Sequence, residues 1–217
     1  ILFLLLVARD ALLLLTWPFR RSTGRQRKIF YGHKEKKPAS GFWAFTLVLL
    51  ALALSGYGMR EALRVPPVRE VRMQVPGLPD ALNGFRIAQL SDLHIGPTFG
   101  KAWLTDVVAR TDSLNPDLIV ITGDVVDGSP SRLEEDVAPL ADLKAKYGVI
   151  FAPGNHEYYS GIQQWLPVFQ RLGMHVLMNE NTQIRVNGTP LAIAGVTDTA
   201  ALNWGLEGPD PEKALSG

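Results

Sequence analysis

Three short stretches carry the residue types that could do chemistry. Asp92 and His94 stand two positions apart in QLSDLHIG (89–96), Gly123-Asp124 closes DLIVITGD (117–124), and Gly154-Asn155-His156-Glu157 follows YGVIFAP. Carboxylate and amide oxygens with imidazole nitrogens, in a chain without Cys, suit divalent ions of intermediate hardness: Mn, Fe, Zn or Ni. The one-residue gap turns Asp92 and His94 the same way if the strand conformation continues. Asp124 has two oxygens and could bridge two ions, while Asn155 offers a neutral carbonyl oxygen. Gly123 and Gly154 let the backbone turn sharply beside a ligand. Two ions about 3.5–4 Å apart can activate a water, hold the attacking and leaving oxygens of a phosphoryl group and offset the developing charge. His156 directly follows a ligand position, so it is assigned to the phosphate or leaving group as general acid or charge stabiliser.

Each stretch taken singly has a plainer reading. An Asp at a strand end is commonly a turn or helix cap, GD is a common turn dipeptide, and GNH fits a turn with a left-handed Asn. Their joint occurrence carries the argument, since the motifs close three successive apolar runs at a spacing of about 31 residues. In an open α/β sheet, ligands bind outside the carboxyl ends of the strands. Weaker candidates are Tyr158, Tyr159 and Trp165, as groove walls or packing residues, and Asp198 in GVTD at the end of a further strand. His175 reads as an ordinary strand residue and His33 as a solvated one.

The elements that must position these groups follow from periodicity. VREVRMQV alternates like a half-buried strand. FRIAQLSD, DLIVITGD and YGVIFAPGN read as buried strands. Helical spacing predicts helices over 101–114, 132–145 and 161–173, the last with a Pro inside. HVLMN, TQIRV and PLAIAGV add two or three strands. Strand alternating with helix predicts an α/β fold, a largely parallel sheet with helices on both faces.

The first third of the chain differs in kind. Residues 42–58 carry no charge, and Trp43 and Tyr57 lie near the ends where amphipathic aromatics favour an interface. This predicts a transmembrane helix. Residues 1–19 read as a truncated span interrupted by Arg9 and Asp10, and 20–41 as a basic loop that the positive-inside rule places in the cytoplasm. Eight Lys/Arg and one Glu fall within 20–37. A Pro-marked linker, 59–67, leads to the domain at 68–217. The expected location is the cell membrane, multi-pass, with that domain on the extracytoplasmic side. Residues 1–67 carry a net +8 and residues 68–217 a net −7, so no nucleic-acid surface is expected in the second part. The ends of the sequence suggest an internal fragment of a longer protein.

SDLHIG, TGDVVDG and PGNHEYY resemble the opening motifs of the calcineurin-like metallophosphoesterases: D-x-H, G-D-x-x-[DE] and G-N-H-[DE]. The likeness is strong over 85–160 and general over 68–200. With the preceding spans and LPDALNGFRIAQLSDLHIGPT, it extends to the family's bacterial membrane-anchored branch. The resemblance implies a β-sandwich flanked by helices rather than a simple doubly wound sheet. It implies two divalent ions, with Asp92 and His94 on the first, Asp124 bridging and Asn155 on the second. His156 would assist the leaving group, and Asp127 and Glu157 would orient ligands or the loop. It also implies a phosphate-ester substrate, either a phosphodiester or a lipid-linked envelope compound such as a UDP-linked lipid A precursor, with membrane lipid as a further partner. The family completes its site with a further His and a G-H-x-H motif. No His follows His175 here, so residues 1–217 alone are expected to show weak or no activity. The competing readings are a non-catalytic membrane scaffold or binding module that keeps the fold, and a nucleotide phosphodiesterase.

Overall fold

The computed structural model describes residues 40–216, so the expected span 1–19 and nearly all of the basic loop 20–41 lie outside them. The chain divides between Arg64 and Val65 into two compact units.

In the first unit, Ser40–Ala62 forms one helix, α1. Twenty-three residues at about 1.5 Å each match the hydrocarbon core of a bilayer. The window Phe45–Ala62 has a mean hydropathy of 1.2, making this the one helix among the described residues long and apolar enough to cross a membrane. The expected span 42–58 falls inside it.

The second unit is a mixed α/β domain around a parallel sheet. Strands β1 (Ile87–Leu90), β2 (Leu118–Ile121), β3 (Val149–Phe151) and β4 (Met174–Val176) pair in the order β1-β2-β3-β4, all parallel. Helices α2 (Lys101–Asp112), α3 (Pro130–Val137), α4 (Asn155–Tyr159) and α5 (Ile162–Arg171) form the crossovers. Crossovers between parallel strands are almost always right-handed, so an unreversed strand order keeps the long crossover helices on one face. Leu104, Val107 and Val108 of α2, Val137 of α3, and Trp165 and Phe169 of α5 pack there against Ile119, Ile121 and Phe151. Among the described residues the expected helices on both faces are therefore not found. The other face meets a hairpin, β5 (Glu180–Val186) and β6 (Thr189–Gly195), through Leu118, Ile150, Leu177 and Ile193. Its turn is Asn187-Gly188, both at positive φ, the backbone that a tight two-residue hairpin requires. This hairpin is a separate two-stranded sheet. A short helix, α6 (Pro211–Leu215), follows.

Two further expectations change. The alternating segment 68–75 forms no strand; it has no neighbour to pair with among the described residues, and Val71 and Met73 stay 70% and 79% exposed. The helix expected over 132–145 begins at Pro130 and gives way to a 3-10 turn over Ala138–Asp142. Pro139 has no N–H to continue the α-helical ladder.

Candidate metal centre

The site lies beyond the carboxyl ends of β1, β2 and β3. The backbone there has left regular strand geometry. Asp92, His94 and Asp124 have φ of 57°, 46° and 56°, a left-handed region that non-glycine residues seldom occupy. The strand alternation expected between Asp92 and His94 therefore does not hold. The two loops are instead laced together. Asp92 N–H donates to Gly123 O at 3.2 Å, His94 N–H to Asp124 O at 3.0 Å and Ile95 N–H to Val125 O at 2.8 Å. Asp127 N–H returns a bond to Ile95 O at 2.9 Å. Backbone conformations of this kind cost about 1–3 kcal/mol each and persist where the surroundings hold them.

The third loop is fastened from below. Glu157 is fully buried, and its carboxylate accepts from Gly154 N–H (2.8 Å), Asp124 N–H (2.9 Å) and Val125 N–H (2.7 Å). Burial pushes its carboxyl above the usual range, against the pull of those three N–H groups. One side chain thus ties the loop after β3 to the loop after β2. Gly154 sits so close that a Cβ there would collide with Asp124 Oδ1 and approach its backbone N to 2.8 Å.

Above this strut the polar groups converge. One ligating atom each from His94, Asp124 and His156 lies within 4.8 Å of the others. Asp127 Oδ1 is within hydrogen-bond distance of both imidazoles, 2.9 Å from His94 Nδ1 and 2.7 Å from His156 Nδ1. With both Nδ1 atoms donating to that carboxylate, both Nε2 atoms are free to face the cluster. The rings meet edge to face, 4.5 Å between centroids. The bond to Asp127 raises the pKa of His94, with burial opposing it. Burial pulls Asp127 upward, yet the bonds from His94 and His156 outweigh it and hold the carboxyl below its usual range. Asp124 Oδ1 accepts from His156 N–H at 3.0 Å, and Asp92 Oδ1 stands 3.8 Å from His94 Nε2.

The Asn155 amide lies 3.2 Å from both Asp124 oxygens, and with its N–H₂ turned toward them it donates to both. The donor set itself, carboxylate and amide oxygens beside imidazoles, fits a divalent ion of the Mn, Fe or Zn kind.

The structure thus gathers Asp92, His94, Asp124, Asn155, His156 and Asp127 at one edge, with Glu157 beneath. Tyr158 and Trp165 are fully buried packing residues, and the Trp165 indole N–H donates to Gly128 O at 2.9 Å. Tyr159 is exposed, its ring 5.6 Å from that of His156. His175 lies in β4. Asp198 comes alongside Asn155 with Thr199 and Asn203, two residues that carry no recognisable sequence signal.

An α/β domain that collects imidazole, carboxylate and amide groups after three adjacent parallel strands, without thiolate, has the donor set of a divalent-metal site. The model of the calcineurin-like phosphoesterase family matches residues 85–207, and the chain belongs to that family. It is 37% identical over 191 residues to a transmembrane protein with metallophosphoesterase domain from Danio rerio, covering 84% of this chain and 44% of the relative. The Bos taurus protein of the same name is 37% identical over 179 residues, 78% of this chain and 40% of the relative. An uncharacterized metallophosphoesterase of Campylobacter jejuni is 32% identical over 166 residues, 76% and 42%. The chain spans less than half the length of these relatives.

Proposed function

We propose that the protein containing this chain is a membrane-anchored, metal-dependent phosphohydrolase. It would cleave a phosphodiester or pyrophosphate bond with two divalent ions. The observation that carries this reading is the convergence of His94, Asp124 and His156 within 4.8 Å beside Asn155 and Asp127. Asp92, His94, Asp124 and Asn155 would hold the ions, the bridging place falling to Asp124. Bound ions would supply positive charge to the phosphoryl oxygens and lower the pKa of a water. His156, as an imidazolium with its Nδ1–H held on Asp127, would give its Nε2 proton to the leaving oxygen as that bond to phosphorus breaks and a hydroxide, its proton already lost to solvent, bonds to phosphorus. Asp127 would orient both imidazole rings, and Glu157 would hold the backbone that carries Asp124 and Asn155.

The apolar helix α1 and the names of the two vertebrate relatives support membrane attachment. The apolar stretch 1–19 supports a multi-pass arrangement, the basic stretch 20–37 supports an extracytoplasmic domain, and attachment favours a lipid-linked substrate. The test is hydrolysis of a generic diester and a monoester by the complete gene product with Mn²⁺. Activity is expected, and loss of it is expected in His156→Ala and Asp124→Asn. Metal-independent turnover, or variants as active as the parent, would sink the reading.

A further inference from the structure

The loop after β2 is held, residue by residue, by the stretch of chain from Glu157 to Trp165. Glu157 takes the N–H groups of Asp124 and Val125. Further along the loop, Ser160 Oγ donates to Val126 O at 3.0 Å, and the Trp165 indole N–H donates to Gly128 O at 2.9 Å. Between those two carbonyls stands Asp127, whose N–H donates to Ile95 O at 2.9 Å. The peptide joining Val126 to Asp127 is therefore pinned at both its oxygen and its N–H, and the chain is pinned again at Gly128. Gly96 closes another side, where an added Cβ would lie 3.3 Å from the Asp127 Cβ.

An Asp side chain is short, so its carboxylate goes where its backbone goes. One Asp127 oxygen serves two imidazoles, at 2.9 Å from His94 Nδ1 and 2.7 Å from His156 Nδ1. Hydrogen bonds weaken as distance and angle leave their narrow range, so two at once tolerate little displacement of that oxygen. The grip on its backbone comes from the segment that also carries His156. Ser160 caps the carboxyl end of α4, its N–H donating to His156 O at 2.9 Å. Trp165 is fully buried on α5 and stacked on Phe169, ring centroids 5.3 Å apart. A buried indole N–H needs a partner, and the carbonyl taken here adjoins the residue on which both imidazoles rest. Val126 and Trp165 are both fully buried, so the grip is interior to the domain.

Resting on the phosphohydrolase reading, we propose that Ser160 and Trp165 are positioning residues for the reaction. Neither side chain is assigned to the ions or to the leaving oxygen. They hold the backbone carbonyls on either side of Asp127, and the Asp127 carboxylate in turn aims His94 at the ions and His156 at the leaving oxygen. Loss of either grip leaves both rings present but loosely aimed. Ion binding and turnover then fall together, while KM at saturating metal does not change.

The test uses the complete gene product in detergent. Ser160→Ala removes the hydroxyl, and Trp165→benzothienylalanine puts sulfur in place of the indole N–H while keeping the ring shape. Val108→Ala, a core change on α2, controls for lost stability. The first readout is the imidazole proton–nitrogen spectrum of the metal-free protein, where Nδ1–H groups held on a carboxylate exchange slowly with water and give sharp resonances. The parent and Val108→Ala are expected to show them for His94 and His156, and each positioning variant to lose or broaden them. Mn²⁺ affinity by calorimetry is expected to fall about three- to tenfold in each positioning variant, the size of one hydrogen bond. The kcat for bis(p-nitrophenyl) phosphate at saturating Mn²⁺ should fall by a similar factor, with KM unchanged within about twofold. Parent-like resonances or parent-like Mn²⁺ affinity in both variants would overturn the inference, even with melting or turnover lowered, because lost packing alone gives that pattern. Equal losses in Val108→Ala would overturn it too, and an effect of one variant alone would strike the other residue from it. If the parent turns nothing over, the phosphohydrolase reading fails, and the spectra and the metal titration still decide the grip on Asp127.

Discussion

Asp127 is the residue on which the site's two imidazoles depend. One oxygen holds both Nδ1 atoms, so its loss frees two rings together. Asp127→Asn is expected to lower metal affinity and activity by about 10–100-fold, measured by metal titration and kcat/KM with melting unchanged. Asp127→Asn combined with His94→Ala should cost less than the sum of the single changes, because both break one network. The raised His94 pKa has a sign that can be checked. A protonated imidazole cannot ligate, so apparent metal affinity should fall as pH drops through that raised value, with proton release on binding. Calorimetry in buffers of different ionisation heat would show it. Glu157 works on stability instead. Burial raises its folded pKa, so the protonation-linked contribution to folding is fully present below the ordinary carboxylate range and is lost as pH climbs through the raised value. Glu157→Gln should flatten that dependence. It should also cost about 1–3 kcal/mol at neutral pH, because an amide N–H₂ would face backbone donors.

At the scale of elements, the loops matter more than the strands they follow. Gly154 has no room for a side chain between itself and Asp124. Gly154→Ala should destabilise the domain by about 1–3 kcal/mol and displace Asp124, which unfolding and metal titration would report. The strand ends were legible because apolar runs closed by Asp, Gly and Asn mark where a buried strand meets solvent. The conformation of those ends was not legible. Left-handed Asp92, His94 and Asp124 depend on bonds between loops about 31 residues apart, which no local pattern encodes. The same limit explains residues 68–75. Their alternation states a preference for a strand, but pairing needs a neighbour. Thr199 and Asn203 were invisible for a related reason: their place beside Asn155 arises from the path of the chain after β6.

The whole molecule joins two unlike parts, a basic apolar one and an acidic folded one, divided at Arg64 and Val65. A chain starting at Val65 is expected to remain in the supernatant after ultracentrifugation with vesicles, and residues 1–217 to sediment with them. The ion ligands proposed among the described residues, Asp92, His94, Asp124 and Asn155, are few, so residues 1–217 alone are expected to bind metal weakly and hydrolyse little, as metal titration and a diester assay would show. The strand order carries a kinetic consequence. Each pairing among β1, β2 and β3 closes a loop of roughly 30 residues, whereas the β5–β6 ribbon closes across Asn187-Gly188. The ribbon can form early on refolding, but the cation cluster cannot exist until two such closures are complete. Adding Mn²⁺ to refolding protein should therefore slow its unfolding while leaving the rate of its folding nearly untouched.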